Sequence, residues 1–184
     1  REEELALELA VIYTDVAPKL LHENRDSISV LDYQRDITPT DIENAKKIVA
    51  QVGPEPYIKS LEQGAEVVIG GRSIDEAPFA AFPLSNGMDE GLTFHMAKIL
   101  ECGAMASEPR SGSDCLIGTL TDSSFEVEPS NPQRRCTTQS VSAHTLYEKA
   151  DPHTIYLPSG QVDTTGSTFE QISGRRVRVT DSEY

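Results

Sequence analysis

The chain is poor in positive charge. It carries 16 Lys and Arg against 30 Asp and Glu, a formal net charge of -14. A phosphate backbone is repelled by such a surface, so nucleic acid is not an expected partner. An anionic membrane surface is disfavoured for the same reason. No apolar run approaches the roughly 20 residues that a bilayer-spanning helix needs, so no membrane partner is expected either. The amino end, Arg1-Glu2-Glu3-Glu4, lacks the apolar stretch of a secretory signal. Cysteine is scarce: Cys102, Cys115 and Cys136 form no CxxC, and an odd count makes neither a disulfide framework nor a structural zinc site. Reduced thiols in a cytoplasmic protein are the expectation. The four histidines, His22, His95, His144 and His153, form no HxH, HExxH or HxxxH, so no metal site is expected and no cofactor is indicated. The missing initiator Met and the abrupt end at Tyr184 suggest a piece of a longer chain.

What is present suits one ordinary domain, or two small lobes sharing a core: 184 residues, 38% of them hydrophobic. Residues 1–52 read as helix-rich and carry no chemical motif. Leu5, Leu9 and Ile12 have helical spacing over 2–12, Pro18 opens a short helix, and 27–31 reads as a strand. Thr40 or Asp41 should cap a helix running through Ile42, Ala45, Ile48 and Val49. Residues 53–110 predict an α/β lobe. A helix begins at Pro54-Glu55-Pro56 and ends at Gly64. The β-branched run 65–69 follows as a buried strand, then helices over 75–82 and 91–102. Leu92, Met96, Ile99 and Leu100 line one stripe of the latter, with Gly103 just past its end. Residues 108–113 read as a loop or linker. Residues 111–184 predict a mixed α+β lobe. A hairpin turns at Thr121-Asp122-Ser123-Ser124, and a helix over 139–150, capped by Thr138, buries Ala143, Leu146, Tyr147 and Ala150. A late strand covers 176–180. The fold class is therefore α/β, with a buried, mainly parallel sheet in the first lobe. The second lobe is too small to bury a core alone, so it should pack on the first or on a second copy of the chain.

The strongest site candidate is Gly70-Gly71-Arg72-x-x-Asp75, at the carboxyl end of the predicted strand, where open α/β sheets bind ligands. The two glycines permit positive φ and a close ligand approach, and Arg72 offers a fork for a carboxylate or phosphate. Asp75 would orient Arg72 or act as an acid or base. A tight turn with a local Arg72–Asp75 ion pair explains the same residues. Cys102 ends a helix, where the dipole raises a thiol pKa and makes a poor nucleophile. Glu101 sits at that same end against its local preference, as a functional or a merely solvated residue. His95 and His144 read as packed or surface residues rather than ligands.

Three segments together resemble the acyclic terpene utilisation (AtuA-like) family. They are residues 64–75, containing Gly70-Gly71-Arg72-Ser73-Ile74-Asp75; Lys98-Ile99-Leu100-Glu101-Cys102-Gly103-Ala104; and residues 140–152, followed by Val162-Asp163 and Arg176-Val177-Arg178-Val179. The resemblance covers residues 53–184 and not 1–50. It carries over Gly70, Arg72, Asp75, Glu101, Cys102, Gly103, Tyr147, Glu148, Asp151, Pro152 and Asp163, with Lys98 where the family usually has His. What it implies is catabolism of acyclic terpenes such as citronellol and geraniol, whose intermediates are coenzyme A thioesters. The expected function is thus an enzyme of carboxylic acid or acyl-thioester catabolism with its reaction unassigned, acting on a small anionic substrate and working as a homo-oligomer. Asp75, Glu101 and Lys98 are the catalytic candidates; Gly70, Gly71, Arg72 and Asp163 are the substrate-binding ones. The alternative is a non-catalytic partner or assembly subunit.

Overall fold

The computed structural model describes residues 6–31, 35–110 and 113–184. Its amino-terminal part opens on β1 (Leu9–Ile12), which pairs in parallel with β2 (Val67–Gly70), Leu9 opposite Val67 and Ile12 opposite Gly70. The helix expected over 2–12 is therefore not formed at 9–12, and residues 2–5 lie outside the described residues. The run Leu9-Ala10-Val11-Ile12 gains ladder hydrogen bonds from a partner 58 residues away, which overrides its helical spacing.

α1 (Pro18–Glu23) opens at its proline, as expected. The strand expected over 27–31 does not form; Arg25–Ser27 is instead a 3-10 turn. The cap of α2 (Pro39–Asn44) is Thr38 rather than Thr40 or Asp41. Thr38 accepts from the Asp41 N–H while the Asp41 side chain accepts from the Thr38 N–H. This helix stops before Ile48 and Val49.

α3 (Glu55–Glu62) ends at Gly64, whose φ of 86° is the left-handed conformation that glycine adopts without Cβ strain. After β2 come α4 (Ala77–Ser85) and α5 (Glu90–Leu100); Asp89 caps α5 by accepting from the Leu92 N–H at 2.8 Å. A 3-10 turn, Gly103–Ala106, follows.

α5 is the centre of the molecule: every residue from 91 to 99 is buried. A helix covered all round must serve two cores. Leu92, Met96 and Ile99 face one, with Phe125, Val127, Val141, Val177 and Val179. Phe94 and Ala97 face the other, with Tyr57, Ile74, Ala77, Ala80 and Val162. Gly91 is required for this, because a Cβ there would lie 2.1 Å from the carbonyl oxygen of Ser182.

The carboxy-terminal half supplies an antiparallel sheet in the order β3 (Leu116–Leu120), β4 (Phe125–Pro129), β8 (Val177–Thr180), β7 (Thr168–Gln171). The expected four-residue hairpin loop is present, with Leu120 opposite Phe125. Period-two alternation sends Phe125, Val127, Val177 and Val179 into the core. Glu126 and Arg178 stand opposite one another on the outer face, 2.8 Å apart at their closest. A second hairpin, β5 (Thr154–Leu157) and β6 (Gly160–Asp163), was not expected from the sequence; Ile155 and Val162 from it enter the second core.

α6 (Thr138–Thr145) is capped by Thr137 and is shorter than predicted. Of its expected buried face, Ala143 and Ala150 are exposed, Tyr147 is half-buried and Leu146 is 53% exposed. Val141, His144 and Thr145 are the buried positions instead; Leu146, Tyr147 and Ala150 lie past the end of the helix, where its spacing no longer places them.

The fold thus mixes helices and strands, but not as a buried, mainly parallel sheet. Among the described residues, parallel pairing comprises β1 with β2, whose Leu9, Val11, Val67 and Ile69 are exposed, and one isolated bridge between Val52 and Ser73, and the larger sheet is antiparallel. Among the described residues no helix is long and apolar enough to cross a membrane.

Candidate functional site

The carboxyl end of α5 carries a buried charge cluster. Lys98 and Glu101 are spaced i, i+3, which puts them on one helix face. The Lys98 ammonium donates to Glu101 Oε1 and lies 3.8 Å from Glu76 Oε1. Glu76 precedes α4 and is brought in by the packing of α4 on α5. The three side chains are 8%, 4% and 11% exposed, so these charges are largely removed from water. Cys102 Sγ also points its weak donor at Glu101 Oε1, at 3.7 Å.

One ammonium thus faces two carboxylates. Burial pushes the Glu101 carboxyl above its usual range, and the nearby Glu76 and Asp75 charges push the same way; Lys98 only partly offsets them. Burial pulls the Lys98 pKa down, but its bond to Glu101 and the charges of Glu101 and Glu76 outweigh that, so it stays protonated. Burial and the Glu101 charge push the Cys102 thiol up to about 11, which makes it a poor nucleophile, as its place at the helix end implied.

His144 comes to this region from α6. It is fully buried and stacks on Tyr147, with ring centroids 5.4 Å apart and planes 14° apart. Among the described residues neither of its ring nitrogens has a hydrogen-bond partner. Burial, then the charges of Lys98 and Arg110, bring its pKa down to about 4, against a smaller opposite pull from Glu148. Glu148 itself has a φ of 56°, the left-handed conformation a non-glycine residue adopts at a cost of roughly 1 kcal/mol.

His95 on α5 behaves differently. Thr145 Oγ1 donates its one proton to the Val141 carbonyl at 3.2 Å, so it accepts from His95 Nε2–H at 2.8 Å. His95 Nδ1 then accepts from the Ser182 hydroxyl at 2.7 Å. Burial brings this imidazole down to about 3. Both nitrogens are satisfied, and the ring holds α5, α6 and the chain end together, as a packed histidine does.

The structure separates the remaining predicted site residues. Gly70 and Gly71 are not in a positive-φ conformation. They are glycines because a Cβ on Gly70 would lie 1.9 Å from the Tyr57 hydroxyl and one on Gly71 2.6 Å from Thr14 Oγ1. Arg72 lies just past β2. Its N–H donates to Thr14 Oγ1 at 2.9 Å, and its exposed guanidinium meets no partner among the described residues, Asp75 included. Asp75 is exposed at the edge of the charge cluster. Asp163 accepts from the Thr165 N–H at 2.7 Å, a loop-forming contact that also holds its carboxyl below the usual range.

Lys98 and Glu101 are therefore brought together, with Asp75 near them, while Arg72 and Asp163 make no bond to that group. Sequence reasoning missed Glu76. Nothing local marks Glu76 apart from Asp75, and only the α4–α5 contact reveals it as the partner of Lys98. By sequence His144, like His95, reads as a packed or surface residue, and nothing in its spacing distinguishes the two. Among the described residues no three His, Cys, Asp or Glu side chains are grouped to hold a metal ion.

Comparison with curated proteins and with solved structures yields no match. One protein family does match, described as "Acyclic terpene utilisation family protein AtuA", over residues 1–112. The match includes the first 50 residues, where the sequence showed no resemblance, along with the Gly70–Asp75 turn and the Lys98–Ala104 segment. It stops before residues 140–152 and 176–179. With most of its length so matched, the chain belongs to the acyclic terpene utilisation AtuA family.

Proposed function

We propose that the chain is an enzyme of acyclic terpene or related carboxylic acid and acyl-coenzyme A catabolism, with the cluster at the end of α5 as its acid–base centre. The observation that supports this is Glu101: a buried carboxyl held above its usual range, gripped by a buried ammonium and crowded by a second carboxylate. Groups whose environments push their proton affinities away from the ordinary are what acid–base chemistry at neutral pH needs. In this reading Glu101 exchanges the proton and Lys98 stabilises the charge it leaves. Asp75 tunes Glu101, and the free guanidinium of Arg72 meets the anionic end of a carboxylate or thioester substrate. Asp163 shapes the neighbouring loop.

The three free thiols suit a cytoplasmic setting. The exposed apolar stripe Leu9, Val11, Val67 and Ile69 on the parallel strands suits a homo-oligomer, since such strands are normally covered on both faces.

The test is to incubate the chain with branched C10 carboxylates and their coenzyme A thioesters and to follow them by mass spectrometry. Conversion should occur with the parent chain and fall about 10²–10⁴-fold in Glu101→Gln, the range set by losing a general acid or base. A parent chain that converts none of them, or a Glu101→Gln chain at full rate, points to the assembly subunit instead.

A further inference from the structure

Three of the chain's 16 Lys and Arg side chains gather around one cavity. It measures about 530 Å³ and lies where the loop after β4 meets the turn between β7 and β8 and the segment that leaves the Gly103–Ala106 turn. Arg134, Arg135, Arg175, Glu108, Pro109 and Gly174 are among its walls. In a chain with a net charge of -14, such a gathering of guanidinium groups runs against the composition.

Each of these guanidiniums is pinned through two nitrogens and keeps a third to spare. Arg134 donates from Nε to Asp114 Oδ2 at 2.9 Å and from Nη1 to the Pro109 carbonyl at 2.6 Å. Arg135 donates from Nε and Nη2 to Glu108 Oε2, at 3.4 and 3.3 Å. Arg175 donates from Nε to the Arg134 carbonyl at 2.8 Å, and from Nη2 to the Pro129 and Asn131 carbonyls at 2.8 and 2.7 Å. Among the described residues Arg134 Nη2, Arg135 Nη1 and Arg175 Nη1 meet no acceptor, and Arg175 touches carbonyls but no carboxylate. Glu108 is itself occupied, its Oε1 by the Thr137 hydroxyl and its Oε2 by Arg135. The three arginines thus outnumber the two carboxylates on them, Glu108 and Asp114. Side chains already fixed lose little rotamer freedom on binding a ligand. Gly174 adds an independent observation. Its φ lies outside the left-handed region, and a Cβ on it would meet no atom within 4 Å. Neither backbone conformation nor packing calls for glycine there, and a side chain would stand in open space at the cavity wall.

We infer that this cavity binds the phosphate group of a small molecule through the spare N–H groups of Arg134, Arg135 and Arg175. A carboxylate is matched by one guanidinium fork, whereas a phosphate has enough terminal oxygens and charge for donors from three side chains. The volume is that of an ordinary small-molecule site and takes more than the phosphate itself. Coenzyme A and a free nucleotide both carry such a group on a larger body. A nucleic acid polymer stays excluded, because the acidic surface beyond the cavity repels its remaining phosphates. The inference goes beyond the acid–base reading of the α5 cluster and does not rest on it.

The test is calorimetric titration of the whole 184-residue chain with inorganic phosphate, ADP and coenzyme A, and with acetate as the carboxylate control. At least one phosphate-bearing probe should bind more tightly than acetate, and the tightest of the three identifies the source as the free ion, a nucleotide or the coenzyme. Gly174→Glu sets a carboxylate at the cavity wall without a clash and should weaken that probe by about tenfold or more, with Gly174→Gln weakening it less. Arg135→Gln, at a side chain 61% exposed, should weaken it by about tenfold as well. Both positions are at the surface, so Tm should stay near that of the parent; if one variant unfolds, the other decides. Phosphate probes that bind no better than acetate, or that bind the folded variants as tightly as the parent, overturn the inference. The readout is binding without turnover. Its failure therefore leaves the acid–base reading standing, and a chain that binds phosphate but converts no thioester leaves this one standing.

Discussion

The sheet-facing side of α5 and its carboxyl end have unlike surroundings. Toward the antiparallel sheet it meets only apolar surface and one fully bonded imidazole: Leu92, Met96 and Ile99 pack on Phe125, Val127, Val177 and Val179, and His95 is held by Ser182 and Thr145. At its carboxyl end the same helix buries Lys98 and Glu101 against Glu76, next to an imidazole with no partner. The first arrangement stabilises through area removed from water. The second costs desolvation that ion pairing repays only in part, which structural needs do not explain. The difference separates packing by apolar area from packing around buried charge.

The largest effect should come from the apolar side. Phe125 is fully buried and central to the sheet, so Phe125→Ala should cost about 3–5 kcal/mol, transfer plus cavity. Urea unfolding would measure it; a loss below about 1 kcal/mol would mean that the sheet does not pack on α5 as described.

Next comes the charged end. Lys98→Met leaves Glu101 and Glu76 buried with no cation and should cost about 3 kcal/mol at neutral pH. Without Lys98 the folded Glu101 carboxyl lies still further above its unfolded value. The folded state then binds more protons than the unfolded one, and the lost stability returns as pH falls. Adding Glu101→Leu should restore much of it. A penalty that does not lessen with acid, measured by unfolding across pH, would contradict the buried pair.

A smaller effect compares the two histidines. His95 and His144 have folded values of about 3 and about 4, below their ordinary 6.5. The unfolded chain therefore takes up the proton first. Stability from each is complete above about 6.5 and is lost as pH falls toward those values, by up to about 1.4 kcal/mol per pH unit per histidine. His144→Leu should remove one share of that slope and leave the other. An unchanged slope in the variant would mean that His144 is not buried in solution.

The smallest contrast is between thiols. Cys136 lies in the sheet-side core, where burial pushes it up to about 12, and Cys102 at the polar end rises to about 11. Cys115 is exposed. Alkylation without denaturant should modify Cys115 first, Cys102 next and Cys136 last; early loss of Cys136 would show that the apolar core opens more readily than the charged end.

Much of the order of elements was legible because local signals and final structure agree. Pro54 to Gly64 bounds a helix, Leu92, Met96, Ile99 and Leu100 form one stripe of another, and the alternation around Thr121–Ser124 makes a hairpin. Where they disagree, a long-range contact intervenes. Residues 9–12 have helical spacing but become a strand through β2, and Leu146 has a core position's spacing but lies beyond the end of its helix. The candidate site was half legible. Lys98 and Glu101 meet through i, i+3 spacing within one helix, a property of sequence alone. Glu76 joins them only because α4 packs on α5.

By itself, then, the sequence determined the excess of acidic side chains, the helix between Pro54 and Gly64, the apolar stripe of α5 and the hairpin around Thr121–Ser124, because each follows from composition or from spacing along one element. Tertiary structure alone decided that the parallel pairing is only two strands wide and that Gly70 and Gly71 make room for Tyr57 and Thr14 rather than for a ligand. It also decided which of two similar histidines is satisfied. His95 finds its partners 50 and 87 residues away, and His144 finds none among the described residues. The physical reason is that burial and hydrogen-bond satisfaction are properties of what the folded chain brings alongside a side chain, which no local spacing records.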